Sequence, residues 1–332
     1  RLWQVPQTAV TVIAADWLPY ALPLRHPWLT SRGRIDTRRG SLLRLRTVDG
    51  RTGWGDAAPL PEVGITDLAA RAFAEETAHL DLLAQQAGLP LHQWLSGASP
   101  VDSLAINANL GALPEATPAM LTTAAAAGFS VVKLKVGTRP LADEIKQLQQ
   151  LARSIPPRLT LRLDANRAWS FADASRFIIA CADLPVEGLE EPLAAPDAEA
   201  LAKLQAGIRF PLAIDESTQL LDSDFFRHPP VRRLVIKPAR QGGLLASIEQ
   251  ALRARACGLE IIVTSSLESA CGLLAGAHLA AAIAPEAVHG LGTAEWFAAD
   301  TGQAPPIASG RLRLSSCPGL GFTPNSSIDN AP

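Results

Sequence analysis

Six charged residues stand where core-forming runs should be apolar. Lys133, Lys135, Asp164, Glu190, Asp215 and Lys237 lie in or at the ends of five successive stretches: 131–136 (VVKLKV), 159–166 (LTLRLDAN), 185–192 (PVEGLEEP), 211–217 (PLAIDES) and 232–238 (RRLVIKP). Three carboxylates from neighbouring strands can converge on one ion, because adjacent strands lie about 5 Å apart. Hard oxygen donors suit Mg²⁺, with Mn²⁺ as a possible substitute. A lysine on either side of such an ion could move a proton next to a substrate carboxylate. Removing a proton alpha to a carboxylate adds a second negative charge, which a bound divalent cation offsets.

Lys133 and Lys135 are two residues apart, so on a strand both point to one face. Two neighbouring ammonium groups beside a cation are expected to lower a lysine pKa toward the range of a working base. Lys237 would lie across the ion from that pair. The competing reading gives each acid a helix cap or an arginine partner, and gives the lysines a solvated edge strand. The apolar Val131, Val132, Leu134 and Val136 argue against an edge.

The elements that must position these residues alternate strand and helix. Strand-like runs occur near 103–108, 131–136, 159–164, 186–190, 211–215, 232–236, 260–264 and 287–291. Helical segments such as 116–127, 141–153, 171–182 and 244–257 lie between them. That alternation predicts a closed α/β barrel with Asp164, Glu190 and Asp215 at the C-terminal ends of its third, fourth and fifth strands, where barrel enzymes collect catalytic groups. Upstream, residues 1–60 alternate apolar and polar positions around an Asp49-Gly50 turn, predicting a small antiparallel sheet. Residues 67–96 are helical in period. The expected division is an α+β cap over 1–98, a barrel over 99–297, and a C-terminal segment over 298–332 that packs back on the cap. Residues 26–34 are expected to close over the site as a lid.

Composition excludes several function classes. The net charge of −2 leaves no basic surplus for nucleic acid. The apolar run 270–285 is too short to span a bilayer and reads as a core helix. No secretory signal is visible, although the chain begins with Arg, which leaves a processed start open. The four cysteines form no C-x-x-C pair and read as reduced, buried thiols in a cytoplasmic protein; there the Asn325 sequon is accidental. The seven tryptophans read as core and interface anchors. No G-x-G-x-x-G follows a strand and no Walker A motif occurs.

At Lys133-Leu-Lys135, Asp164-Ala-Asn166, Glu190-Glu-Pro192, Asp215-Glu-Ser217 and Lys237-Pro238 the chain resembles the enolase superfamily, in its muconate-lactonising branch. Residues 161–169, 189–192 and 264–269, with Arg32-Gly33 and 53–61 in the cap, resemble the o-succinylbenzoate synthase family within it. The likeness covers nearly the whole chain. It implies a modified (β/α)₇β TIM-like barrel with an N-terminal α+β capping domain. It also implies Mg²⁺ on Asp164, Glu190 and Asp215, Lys135 as base and then acid, Lys237 stabilising the enediolate, and Lys133 tuning Lys135. The implied activity is dehydration of 2-succinyl-6-hydroxy-2,4-cyclohexadiene-1-carboxylate to o-succinylbenzoate, a carbon–oxygen lyase step of menaquinone or phylloquinone biosynthesis.

Arg162 and Asn166 are candidates either for substrate contact or for bracing the acids, with Arg162 leaning to bracing. Thr264, Ser265 and Ser266 could bind the succinyl carboxylate or cap the next helix. Two departures from the pattern are a short segment after Pro61 and Gly292 where an acidic residue is common. The alternatives are an N-acylamino acid racemase or dipeptide epimerase on the same scaffold, a muconate cycloisomerase, a Schiff-base lysine aldolase, and an inactive barrel acting as a binding protein. A small-molecule carboxylate is the expected partner; the oligomeric state is left open.

Overall fold

The computed structural model describes residues 10–30 and 33–329. Strands β1 (Val12–Thr30), β2 (Gly33–Thr47) and β3 (Thr52–Ala57) form an antiparallel sheet in that order. The β2–β3 turn falls at Asp49-Gly50, with Gly50 in the left-handed region that the sequence pattern requires there. Helix α1 (Asp67–Ala87) starts where Thr66 accepts from the Ala69 N–H and stops at Gly88; α2 (Leu91–Ser96) follows. β3 packs directly on α1: any side chain at Gly55 would collide with the backbone of Ala74.

β4 (Ser103–Ala105) precedes the barrel. The barrel chain then runs β5 (Ala108–Ala112), α3 (Pro118–Ala126), β6 (Val131–Lys135), α4 (Leu141–Ala152), β7 (Thr160–Asp164), α5 (Phe171–Ala180), β8 (Val186–Glu190), α6 (Ala198–Ala206), β9 (Leu212–Ile214), α7 (Ser223–Arg227), β10 (Arg233–Ile236), α8 (Pro238–Gln241), α9 (Leu244–Ala256), β11 (Glu260–Val263) and α10 (Ala270–Ile283). β12 (Ile307–Ala308), β13 (Arg311–Arg313) and α11 (Ser326–Asp329) complete the chain. β5 to β11 make one parallel sheet in sequence order. The expected core helix is α10, apolar on all sides and almost wholly buried.

Two strands differ from expectation. The run 103–108 divides. Its first part, β4, pairs antiparallel with β13, where buried Leu104 faces buried Leu312. Only β5 enters the parallel sheet. The run 287–291 is reduced to two bridges, His289 to Ile106 and Gly290 to Thr264. Those bridges join the end of β11 to the segment entering β5, and so close the curled sheet. The C-terminal strands therefore pair with β4 rather than with the cap sheet, while later residues reach the cap. The Leu320 N–H donates to Asp81 Oδ1 of α1 (2.7 Å), whose Oδ2 accepts from the Trp54 N–H (3.0 Å).

A buried histidine pair joins the cap, barrel and C-terminal segment. His92 Nδ1 and His278 Nδ1 lie 3.0 Å apart; Val101 N–H donates to His92 Nε2 (2.9 Å), and His278 Nε2 stands 3.1 Å from Leu320 O. A carbonyl can only accept, so His278 carries its hydrogen on Nε2. An amide can only donate, so His92 carries its hydrogen on Nδ1. Both rings are thereby neutral, and burial holds His278 down at about 3.

The unfolded chain, with an ordinary histidine pKa, binds more protons than the folded one between pH 6.5 and 3. This part of the stability is present above pH 6.5 and is lost as pH falls through that window, at up to ~1.4 kcal/mol per pH unit. Urea unfolding of His278→Leu from pH 7 to 4 should therefore give a shallower acid loss than the parent. Parallel curves for the two proteins would count against the histidine origin.

Candidate active site

β6 reads inward and outward as its sequence dictates. Val132 and Leu134 are fully buried, while Lys133 and Lys135 share the other face. In register, Lys135 lies beside Asp164 and Asp164 beside Glu190. Asp215 and Lys237 stand one residue beyond β9 and β10. Counting the closing segment, β6 and β10 are on opposite sides of the barrel, so Lys237 faces the Lys133–Lys135 pair across the site.

Lys133 Nζ bridges Asp164 Oδ2 (2.9 Å) and Glu190 Oε2 (2.5 Å). Burial acts against its charge, but Asp164, Glu190 and Asp215 outweigh that and hold it protonated well above the ordinary lysine range. This reverses the expected depression for Lys133: the nearest charges are carboxylates, not its neighbouring lysine. Lys135 makes no side-chain hydrogen bond or ion pair among the described residues. It is the uncommitted lysine of the pair.

Asp215 is held on every side. Lys237 Nζ meets its Oδ2, Arg240 Nη2 meets its Oδ1, and Arg240 Nη1 donates to its carbonyl (2.9 Å). Burial would raise its pKa, yet Lys237 and Arg240 bring it to about 2. Its N–H donates to Glu191 Oε1 (2.7 Å), which also accepts from Ser217 N (2.8 Å).

Asn166, with φ +43°, donates its N–H to Asp164 Oδ1 (3.0 Å) and its amide to Glu216 Oε1 (2.9 Å). Burial, with Asp215 and Asp164 nearby, pushes Glu216 up to about 8. Asn166 therefore braces two acids. The loop after β6 is set by buried Glu144 of α4, which accepts from Gly137 N (2.7 Å) and Thr138 N (2.8 Å).

Arg240, Glu191, Glu216 and Glu144 were not singled out from the sequence. Glu191 and Glu216 directly follow motif acids, and strict strand alternation would turn them out of the barrel. The positive φ of Glu191 (+47°) breaks that alternation. Arg240 carried no readable signal beyond its nearness to Lys237.

The substrate-contact candidates fare differently. Arg162 is fully buried in the barrel floor, bonded to Glu187 Oε1 (2.5 Å), Asn107 Oδ1 (3.2 Å) and Val288 O (3.0 Å). It braces the interior and makes no bond to the motif acids. Ser265 Oγ donates to Glu268 (2.6 Å), which also accepts from Ser266 N (2.7 Å); Thr264 Oγ1 and Ser266 Oγ are buried without partners. None of the three caps α10: its N-cap position is Ser269, whose N–H and hydroxyl donate to buried Asp56 of β3 (2.8 Å each), while the Ala270 N–H donates to Asp300 Oδ1 (2.8 Å). Of the expected lid, residues 31 and 32 lie outside the described residues; the flanking β1 and β2 form a hairpin.

No three His, Cys, Asp or Glu side chains among the described residues are gathered as they stand closely enough to hold a metal ion. Lys133 sits between Asp164 and Glu190, and Asp215 is drawn to Lys237 and Arg240. The donor set nevertheless fits a hard divalent cation: carboxylates from three consecutive strands, with Glu190 Oε1 buried and unpartnered.

The Enolase C-terminal domain-like family model matches residues 116–328. The chain is 31% identical over 318 residues to an o-succinylbenzoate synthase of Klebsiella pneumoniae (strain 342), covering 88% of each chain. It is 33% identical over 286 residues to one of Enterobacter sp. (strain 638), covering 78% of this chain and 84% of the relative. Its fold superposes with TM-score 0.84 on a dipeptide epimerase from Cytophaga hutchinsonii complexed with Mg and D-Ala-L-Val, at 20% identity over 96% of each chain.

Proposed function

This chain belongs to the enolase superfamily, and on that premise we propose that it dehydrates 2-succinyl-6-hydroxy-2,4-cyclohexadiene-1-carboxylate to o-succinylbenzoate. It would thus be a hydro-lyase of menaquinone or phylloquinone biosynthesis, acting in the cytoplasm. The observation that carries the reading is the identity of 31% and 33% over most of both chains to proteins named for that reaction. No described helix is long and apolar enough to cross a membrane, in keeping with a small-molecule substrate met in solution. In this reading residues 1–98 form the cap, 99–297 the barrel and 298–332 the C-terminal segment.

Asp164, Glu190 and Asp215 would hold Mg²⁺. When bound, the cation offsets the second negative charge that develops on the substrate carboxylate. Lys135 Nζ takes the proton alpha to that carboxylate, and the C–H electron pair passes into the carboxylate. The pair then returns to form the ring double bond as the adjacent C–O bond breaks. The departing hydroxide takes the proton from Lys135 and leaves as water, and the ring becomes aromatic. Lys237, on the opposite side, faces the developing anion, while Lys133 keeps Asp164 and Glu190 in place. Because Lys135 is free of ion pairs, it can gain and lose a proton without breaking a buried contact.

A second reading on the same residues is racemisation of N-acylamino acids or epimerisation of dipeptides, with Lys135 and Lys237 as opposed bases. The opposed placement of the two lysines favours keeping it. Ultraviolet assay of the cyclohexadiene substrate, run beside N-succinylamino acid racemase and dipeptide epimerase assays, separates the two. Turnover of the diene is expected, lost in EDTA and restored by Mg²⁺. Epimerisation without diene turnover would replace the first reading with the second.

A further inference from the structure

The carboxylate oxygens of the site can be sorted by what they already hold. Asp164 Oδ1 accepts from the Asn166 N–H and its Oδ2 meets Lys133. Asp215 Oδ1 meets Arg240 and its Oδ2 meets Lys237. Glu190 Oε2 meets Lys133, and Glu216 Oε1 accepts from Asn166. Two oxygens remain, Glu190 Oε1 and Glu216 Oε2. Both are buried and neither has a partner. A buried carboxylate oxygen left unpaired is costly, so each calls for a donor or a cation.

Glu190 is one of the three strand-end acids. Glu216 is a fourth, and Asn166 ties it to the first: one asparagine donates to Asp164 with its backbone and to Glu216 with its side chain. Charge arithmetic gives it a purpose. Arg240 adds a buried cation against Asp215, beyond the lysines that the chemistry uses. With a divalent cation bound, a further carboxylate on the same side would supply the negative charge that Arg240 takes up.

Resting on the functional reading above, we propose that Glu216 is a fourth carboxylate of the cation centre. Its free Oε2 accepts a hydrogen bond from water carried by the ion, and Asn166 orients it. Mg²⁺ gives up its waters reluctantly, so a carboxylate beyond the first set is more readily used through water than by direct ligation. Such outer partners are worth about 10–100-fold in metal affinity.

The test is calorimetric titration of MgCl₂ alone into the wild type, Glu216→Gln and Asn166→Ala, with thermal unfolding of each protein in EDTA and in saturating Mg²⁺. The wild type should bind one ion. Glu216→Gln should bind it at least ~10-fold more weakly, and Asn166→Ala should fall between. In EDTA, Glu216→Gln should unfold no earlier than the wild type, since an amide of the same shape replaces a carboxyl whose buried Oε2 has no partner, and Mg²⁺ should raise its midpoint less. Mg²⁺ affinities within twofold of wild type for both variants would overturn the role of Glu216 and leave the proposed reaction standing. A wild type that binds no Mg²⁺ would overturn the reaction, and this role with it.

Discussion

Lys135→Ala should lose turnover, and exchange of the alpha proton in D₂O, by about 10³-fold or more while keeping the stability of the parent. A positioned general base contributes about 10²–10⁴-fold. Lys135 makes no ion pair among the described residues, so its removal orphans nothing. Lys133→Ala should behave in the opposite way. It strands Asp164 and Glu190, which share its ammonium group, and should lower the stability of the cation-free protein, a loss that bound Mg²⁺ should offset. The pair of variants therefore distinguishes a base from a charge that organises the acids. Exchange retained in Lys135→Ala but lost in Lys133→Ala, with normal cation binding, would reverse the assignment.

Arg162→Met should unfold ~3–5 kcal/mol more easily, with KM for the diene unchanged in the folded fraction. Arg162 is 1% exposed, and its guanidinium spans the barrel from Glu187 to Asn107 and Val288. Glu187 also pairs with Arg233 Nη2 (2.7 Å), and Arg233 with Glu260 (2.8 Å), so a ladder of charges crosses the floor. Gly188 is part of that design: any side chain there would collide with the Arg233 guanidinium. Breaking a buried pair by removing one partner leaves the other charge uncompensated, which costs several kcal/mol. Urea unfolding gives the stability change, and steady-state kinetics at low temperature gives KM. Unchanged stability with a large rise in KM would return Arg162 to the substrate.

The contrast between Lys135 and Arg162 shows what strand patterning can carry. Both lie on inward faces, at period-two positions of runs readable from the sequence. For Lys135, inward placement at a strand end leaves it in the mouth, as expected. Arg162, two residues earlier than Asp164, lies one layer deeper, where its reach is determined by residues 55 and 126 positions away in the chain. The serines after β11 make the same point. Ser265 and Ser266 look like helix caps or anion ligands by type, yet Glu268 takes the hydroxyl of Ser265 and the backbone N–H of Ser266, and the helix starts later, at Ala270. Local chemistry was legible at these positions; the choice of partner was not.

By itself the sequence determined the alternation of elements, the inward face of each strand, and hence that two lysines, three acids and a further lysine meet at one end of a barrel. Those follow from a side-chain period of two and from connections just long enough for one helix. Tertiary structure alone decided which oxygen each cation takes, that Arg240 clamps Asp215, that Glu216 keeps a buried oxygen free, and that the last barrel strand is only two bridges. Such contacts join distant residues, and several depend on positive φ at Asn166 and Glu191, which turns a side chain away from the direction its strand would give it.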